Sequence, residues 1–550
     1  MLNRRLVKNL LGELPLTAEI YWRLVQGDRP VARSFSLRRT KKNLPAWRLQ
    51  AQQALALHLP DQPAPKRLLL FATLRYWIEH AALLSVTLSG LGHKVTLGYL
   101  PYPSFDRPLT HFDLRRNAAY ARSVLSAAAP LLEPLSFLDV GRTAPAALPA
   151  ALAQAVHEVS VRDTQYTLQI EQVDTEDLHS PSGRLFNLRQ KRNLQAAAAM
   201  LNWYGALAPE LRPQALLVPN GSILELGAVF QTARYLGLPA VTYEFGEQRG
   251  RIWLARDSEV MLQETDDLWE AHRNTPLNES QWEQIRALYV SRQNGRLWEN
   301  FARLWQGLPS QGGAQVRAEL GLDQRPIVLL AANVIGDSLT LGRQVFSRDM
   351  TEWLQRSVQF FAGHPEVQLV VRIHPGERYL KGPSVAQVVK AALPELPPHI
   401  RLIEATAPVN TYDLVEIAAL GLVYTTTVGM EMAMSGLPAI VGGRTHYRAK
   451  GFTLDPATWQ ENFALIERLL SAPHEHRLKN QQVELAWNYA YRFFFEYPCP
   501  FPWHLLDFWN ELDEWSVERV LARQGREAFG ATFEYLIGEP RPYLQPVEAL

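Results

Sequence analysis

A chain of 550 residues with one cysteine, Cys499, can form no internal disulfide and no cysteine-based metal cluster, and a lone thiol fits a reducing compartment. No apolar run reaches the roughly 18 residues a spanning helix needs. The start, MLNRRLVKNLLGELPLTAEI, also lacks an uninterrupted signal-peptide core. A cytoplasmic protein is expected. Net charge is absent as well: 56 basic and 55 acidic side chains leave +1, so no global field marks a nucleic-acid binder. Neither G-x-x-x-x-G-K-S/T nor G-x-G-x-x-G occurs, which removes the main supports for nucleoside-triphosphate hydrolysis and NAD chemistry. H-E-x-x-H and G-x-S-x-G are missing too. Asp266-Asp267 falls on a helical pattern away from any strand end, so no dedicated metal and no cofactor is expected.

What is present is an ordinary globular composition, 47% apolar and 20% charged, long enough for two large domains with appendages. The balanced charge is unevenly placed. Residues 1–42 carry ten Lys or Arg against three Asp or Glu, a net +7 that leaves the rest of the chain at −6. Leu6, Leu10, Leu11, Leu14, Ile20, Tyr21 and Trp22 alternate there with Arg4, Arg5, Lys8 and Arg23. Two readings fit: peripheral contact with an anionic inner membrane face, or a helix packed on the body with its charges in water.

A proline-rich turn, LPDQPAPK (59–66), separates this basic helical leader (1–62) from the first strand signal. Buried strands are expected over Lys66–Leu74, Lys94–Leu100, Ala215–Pro219 and Ala240–Phe245, with helices over Tyr76–Leu91 and Ile223–Leu236. Residues 63–265 therefore read as a Rossmann-like unit. A helical connector carrying Trp269, Trp282, Trp298 and Trp305 spans 266–322. A second alternation fills 323–475, with strands over Ile327–Ala332, Leu369–Ile373, Arg401–Glu404, Leu420–Tyr424 and Ala439–Val441. Helices close the chain over 476–550. Their aromatic stretch, Trp487 to Trp509, reads as packing across the two domains, because no basic groove accompanies it.

In open parallel sheets ligands bind beyond the carboxyl ends of the strands. In the second unit those ends run into Asn333 with Asp337 and Ser338, into His374-Pro375-Gly376-Glu377, into Thr425-Thr426-Thr427-Val428-Gly429, and into Gly442-Gly443-Arg444. Such small and polar loops on one edge suit a phosphorylated ligand. The threonine turn feeds a short helix expected over Met430–Ser435, whose free N–H groups favour phosphate, with Gly429 permitting close approach. Glu431 would repel a phosphate there and is assigned to ribose-like hydroxyls; Thr427 as a plain N-cap and Glu431 as a complement to the helix dipole is the other reading. His374 is held extended by the following proline and is placed to donate to a phosphate oxygen, or else makes one structural bond. Arg444, Arg448 and Lys450 follow the last strand, placed to neutralise phosphate charge; one or two of them simply solvated is the other reading.

The runs NVIGDS, RDMTEWLQRSVQFFAGHPEVQLVVRIHPGE and VYTTTVGMEMAMSGLPAIVGGRTHYRAKGFT resemble the capsule polysaccharide biosynthesis glycosyltransferases. That bacterial family has the GT-B architecture, two Rossmann-type parallel-sheet domains facing a cleft. The resemblance is strongest over residues 325–455 and weaker through NGSILELGAVFQTARYLGLPAVTYEFGE. Members carry Ser-Thr before the V-G of the turn; here Thr426-Thr427 keeps a hydroxyl and leaves the donor open. The resemblance implies transfer of a sugar from a nucleotide-sugar donor, held by the second domain, to a glycan or glycolipid acceptor held by the first. Donor contacts then map onto His374, Glu377, Thr426, Thr427, Gly429, Glu431, Arg444 and Lys450. An inverting transfer needs a base for the acceptor hydroxyl. Glu225, Glu244 and Glu247 lie near element ends of the first domain, with Glu244 ranked first; pairing with Arg249 or Arg251 is its other reading. Two rivals share the architecture: a sugar-nucleotide epimerase, and a non-catalytic scaffold of capsule assembly.

Overall fold

A computed structural model describes residues 4–27, 29–30, 32–57, 64–140, 147–298, 307–379 and 382–540. Most of the proline-rich turn (59–63), Trp305 and the side chain of Arg4 lie outside the described residues. The protein is α/β, built on two Rossmann-type sheets with helical segments at both ends of the chain. The first sheet contains β1 (Arg67–Thr73), β2 (Lys94–Leu100), β3 (Leu132–Ser136), β4 (Ala215–Pro219), β5 (Ala240–Glu244) and β6 (Arg251–Arg256). The second contains β7 (Ile327–Ala331), β8 (Gln368–Arg372), β9 (Ile400–Ile403), β10 (Leu420–Val423) and β11 (Ala439–Val441). A last short strand, β12 (Cys499–Pro500), returns to the first sheet.

The strand orders are β12-β6-β5-β4-β1-β2-β3 and β11-β10-β7-β8-β9. β1 to β5 and β7 to β11 are parallel, whereas β6 and β12 pair antiparallel. Both parallel sets share one winding, first outward from β1 or β7 and then back across it. The reversal falls between β1 and β4 in one sheet and between β7 and β10 in the other. Connections leaving such neighbours go to opposite faces and open a crevice at their carboxyl ends.

The strand sequences explain the layering. IVLLA, LGLV and AIV are buried at every position, as strands covered on both faces must be. The helix Met350–Ala362 shows the matching half of the pattern: Met350, Trp353, Leu354, Val358 and Phe361 are buried at helical spacing, and Asp349 caps its start by accepting from the Glu352 amide. Pro134 sits in β3, which is tolerable because β3 is the edge strand. The late aromatic segment divides between two cores. Tyr489, Phe493, Phe494 and Tyr497 pack under the second sheet, while Phe501, Trp503 and Phe508 pack under the first. Among the described residues no helix is long and apolar enough to cross a membrane.

Candidate functional site

The carboxyl edges of the two sheets face each other. Loops after β4 (Ser222, Ile223) and after β7 (Ser338, Leu341, Gly342, Arg343) line one small cavity. The Arg343 guanidinium reaches across to donate to the carbonyls of Met261 and, at 3.2 Å, Leu262. Beside it opens a cleft of about 720 Å³ between residues 262–274, the loop 444–451 and the helix Asn480–Tyr491. Arg343, Arg444, Thr445, His446 and Lys450 form part of its wall.

At the second sheet's reversal, Asn333 beyond β7 accepts through Oδ1 from the Thr425 amide beyond β10 at 3.0 Å. One bond thus ties the two loops that flank the crevice. The Thr425 hydroxyl is buried and has no hydrogen-bond partner among the described residues. Asp337 turns its own loop, its Oδ1 accepting from Leu339 N at 2.8 Å and from the Ser338 hydroxyl at 3.3 Å. His374, beyond β8, accepts at Nδ1 from the Gly376 amide at 3.0 Å, which leaves the proton of a neutral ring on Nε2. Burial holds its pKa below the ordinary value, against the opposing charge of Asp337. Thr426 accepts at Oγ1 from Val428 N at 3.4 Å, and Thr427 precedes the helix Val428–Met434 without a side-chain cap. Asn333, Asp337, Ser338, His374, Thr426, Thr427 and Arg444 therefore lie on one edge. Arg444 is exposed there, its amide bonded to Arg343 O.

Five of the other expected roles are corrected. Glu431 is 1% exposed, paired with Arg292 at 2.9 Å and accepting from the Tyr412 hydroxyl at 3.0 Å, so no ribose can reach it. Burial pushes its carboxyl pKa up, against the pull of Arg292. Gly429 does permit a close approach, but of Tyr447: a Cβ there would lie 2.5 Å from the Tyr447 oxygen and 2.7 Å from Val423 Cγ2. Glu377 accepts from Val385 N at 3.1 Å and so closes the start of the helix Val385–Ala392. Arg448 donates to the carbonyls of Val441 and Pro456 and pins its own loop. Lys450 is buried against Asp266 across the cleft, which ties the two walls rather than offering a free cation.

In the first half Glu225 is 1% exposed and lies 3.1 Å from Arg189, which also binds Asp163. A carboxylate locked in that buried cluster is no base for a substrate. Glu244 ends β5, partly exposed, and accepts from Asn220 Nδ2 and from the Phe245 amide, both at 3.0 Å. Burial, helped by the Glu244 charge, pushes the Tyr76 hydroxyl up to about 12. Glu247 is partly exposed and close enough for its charge to act on Arg292.

Sequence reasoning passed over Arg343 and Thr425. Arg343 is 4% exposed, and among the described residues no carboxylate lies within ion-pair distance of it. Burial and the nearby Arg444 push its pKa down to about 10. A survey of every cation in the loop after β7 would have found it in the run SLTLGR. Nothing in the sequence separates Thr425 from its two threonine neighbours. Among the described residues no group of three or more His, Cys, Asp and Glu side chains is arranged to hold a metal ion.

No family model and no curated protein matches the sequence. Among solved structures the chain is similar to the beta Kdo 2,4 transferase KpsC of Thermosulfurimonas dismutans, at 15% identity over 51% of this chain and 80% of that one, TM-score 0.32. It is also similar to UDP-GlcNAc 2-epimerase from Neisseria meningitidis bound to UDP-GlcNAc, at 11% identity over 78% and 100%, TM-score 0.25. A third likeness is to CalG4, the calicheamicin glycosyltransferase, at 14% identity over 79% and 95%, TM-score 0.24.

Proposed function

We propose that this chain is a glycosyltransferase that moves a sugar from a nucleotide-sugar donor to a surface polysaccharide or glycolipid acceptor. The observation that carries this reading is Arg343, a buried guanidinium bonded to main-chain carbonyls, with no carboxylate at ion-pair distance among the described residues and Glu259 acting on it only from farther off, set beside Arg444 on a cleft. A buried charge without a counter-ion is costly. The phosphate of a leaving nucleotide supplies the missing negative charge, and cations already in place stabilise it as the sugar departs. His374 Nε2–H and the Thr425 hydroxyl are further donors on the same edge. Glu244, oriented by Asn220 and the Phe245 amide, is the group we assign to take the acceptor proton.

The test is thermal unfolding against a panel of uridine, guanosine and cytidine nucleotides. A nucleotide at about 100 times its Kd stabilises the folded state by about 2.7 kcal/mol. We expect such a shift in the wild type and its loss in Arg343→Met. Absence of a shift with every nucleotide would sink the donor site. Sugar turnover that requires no acceptor would instead identify an epimerase on the same scaffold.

A further inference from the structure

Ten of the twenty-four exposed large hydrophobic side chains among the described residues fall between Leu6 and Val25, a segment the donor site does not use. The helix Arg4–Glu13 is docked by the wrong face for a water-soluble surface helix. Positions 8 and 12 share one side, whereas 6 and 10, with 7 and 11, occupy the other. The side turned to the protein is the polar one. Lys8 Nζ bonds the Asp113 carboxylate at 2.8 Å, and Gly12 lies so close to Phe112 that a Cβ would stand 2.7 Å from its amide nitrogen. Arg115, 2% exposed, donates to the carbonyls of Gly12 (2.7 Å) and Leu14 (2.6 Å) and binds Glu19 at 2.9 Å. These buried polar contacts fix the helix with Leu6 and Leu10 outward, 53% and 63% exposed. The chain continues alike: Ala18 and Trp22 turn inward while Leu16, Ile20, Leu24 and Val25 remain in water, Leu24 at 78%.

We propose that this face binds the surface of an anionic lipid bilayer. An amphipathic helix normally buries its apolar stripe; here the stripe is presented, and the exposed charge of this end is mainly positive, with Glu13 the exposed acidic exception. Arg5 and Arg23 are exposed within the segment, and Arg33, Arg38, Arg39, Lys41 and Lys42 are exposed just after it. The +7 of residues 1–42 stands against −6 for the remainder, so a negative surface attracts this end and repels the rest. Apolar side chains enter the boundary between headgroups and acyl chains while the cations meet the headgroups. An apolar protein surface would satisfy the leucines and leave the cations unmatched.

The experiment is sedimentation of the full chain with large vesicles, one set containing phosphatidylglycerol and one of phosphatidylcholine alone. We expect binding to the first, at least about tenfold weaker binding to the second, and weakening by salt. Leu10→Glu with Leu24→Glu should abolish it, whereas Leu211→Glu, an exposed leucine elsewhere, should leave it unchanged. Both sites are exposed, so folding is preserved. The proposal is overturned if the wild type binds neither vesicle, or if the double variant binds as well as the wild type. It is equally overturned if light scattering shows a dimer that the double variant dissolves, since a second copy then covers the face. None of these outcomes touches the nucleotide site.

Discussion

The two sheets wind in the same order and meet carboxyl edge to carboxyl edge, yet the buried cation behind the first is paired with carboxylates while the one beside the second, Arg343, is bonded to carbonyls. Beyond β4, Asn220 accepts at Oδ1 from the Ser222 amide and hydroxyl and donates to Glu244. Behind it Asp163, Arg189 and Glu225 form a cluster with no exposure above 1%. Beyond β7 and β10 the balance differs: among the described residues Arg343 bonds carbonyls and no carboxylate, and the buried Thr425 hydroxyl has no partner. Topology makes both crevices possible, and a buried cation with no carboxylate at ion-pair distance among the described residues marks the one that would gain from an anionic ligand. In the first half the buried cation answers carboxylates of the fold; in the second its hydrogen bonds go to main-chain carbonyls.

The sharpest way to break that comparison is to remove a cation from each half. Arg189→Met leaves Asp163 and Glu225 buried without their counter-ion. Breaking a buried pair from one side costs about 3–5 kcal/mol, read as a lower denaturant midpoint. Arg343→Met removes a charge that no carboxylate pairs directly among the described residues, Glu259 acting on it only from farther off. Its cost should be much smaller, and its main effect should fall on nucleotide binding. Equal destabilisation by the two substitutions would erase the distinction between the sheets.

Next in size is a pH effect confined to the first half. Glu79 lies in the helix Arg75–Gly90 with its Oε1 accepting from the Thr40 hydroxyl at 3.2 Å, and burial pushes its carboxyl up to about 7. The folded chain keeps that proton up to about pH 7, whereas the unfolded chain releases it near 4.5. The contribution is therefore complete below 4.5 and lost as pH rises to about 7. Glu79→Gln retains an acceptor for Thr40 and removes the titration. Relative to wild type it should gain stability across that window, by roughly 2–3 kcal/mol at its upper end. Thermal unfolding at several pH values reads the difference, and a constant offset would contradict it.

Local patterns made the parallel strands legible. IVLLA and AIV are runs too apolar for a half-exposed strand, and β7 and β11 fall within a residue of where those runs predict them. The expected β10 ends one residue early, because Tyr424 already belongs to the turn. β3, β6 and β12 were not legible. Pro134 interrupts the first, β6 turns back antiparallel on β5 right after it, and β12 exists through pairing with a strand far back in the chain, Cys499 opposite Ile252. The site divides the same way. That His374 and Thr426 lie at strand ends follows from neighbouring residues, but that Glu431 meets Arg292 depends on a helix some 140 positions earlier. No local spacing encodes which carboxylate is neutralised from afar. Gly429 shows the limit most plainly: glycine reports that something comes close, and only the fold shows that it is Tyr447.

The smallest expected effect is the most discriminating. Thr425→Val exchanges a hydroxyl for a methyl of nearly the same shape at a site 6% exposed. If that hydroxyl were bonded within the protein, its loss would cost about 1 kcal/mol. It has no partner among the described residues, and replacing an unsatisfied buried hydroxyl by an apolar group is nearly neutral or slightly stabilising. Stability without ligand should therefore stay within about 0.5 kcal/mol of wild type, while the nucleotide-induced shift falls. The Asn333 bond to the residue's amide survives the substitution, so the two loops stay tied and the change reads the hydroxyl alone. A destabilised variant with an intact nucleotide shift would mean that the hydroxyl serves the fold after all, and the second crevice would then resemble the first.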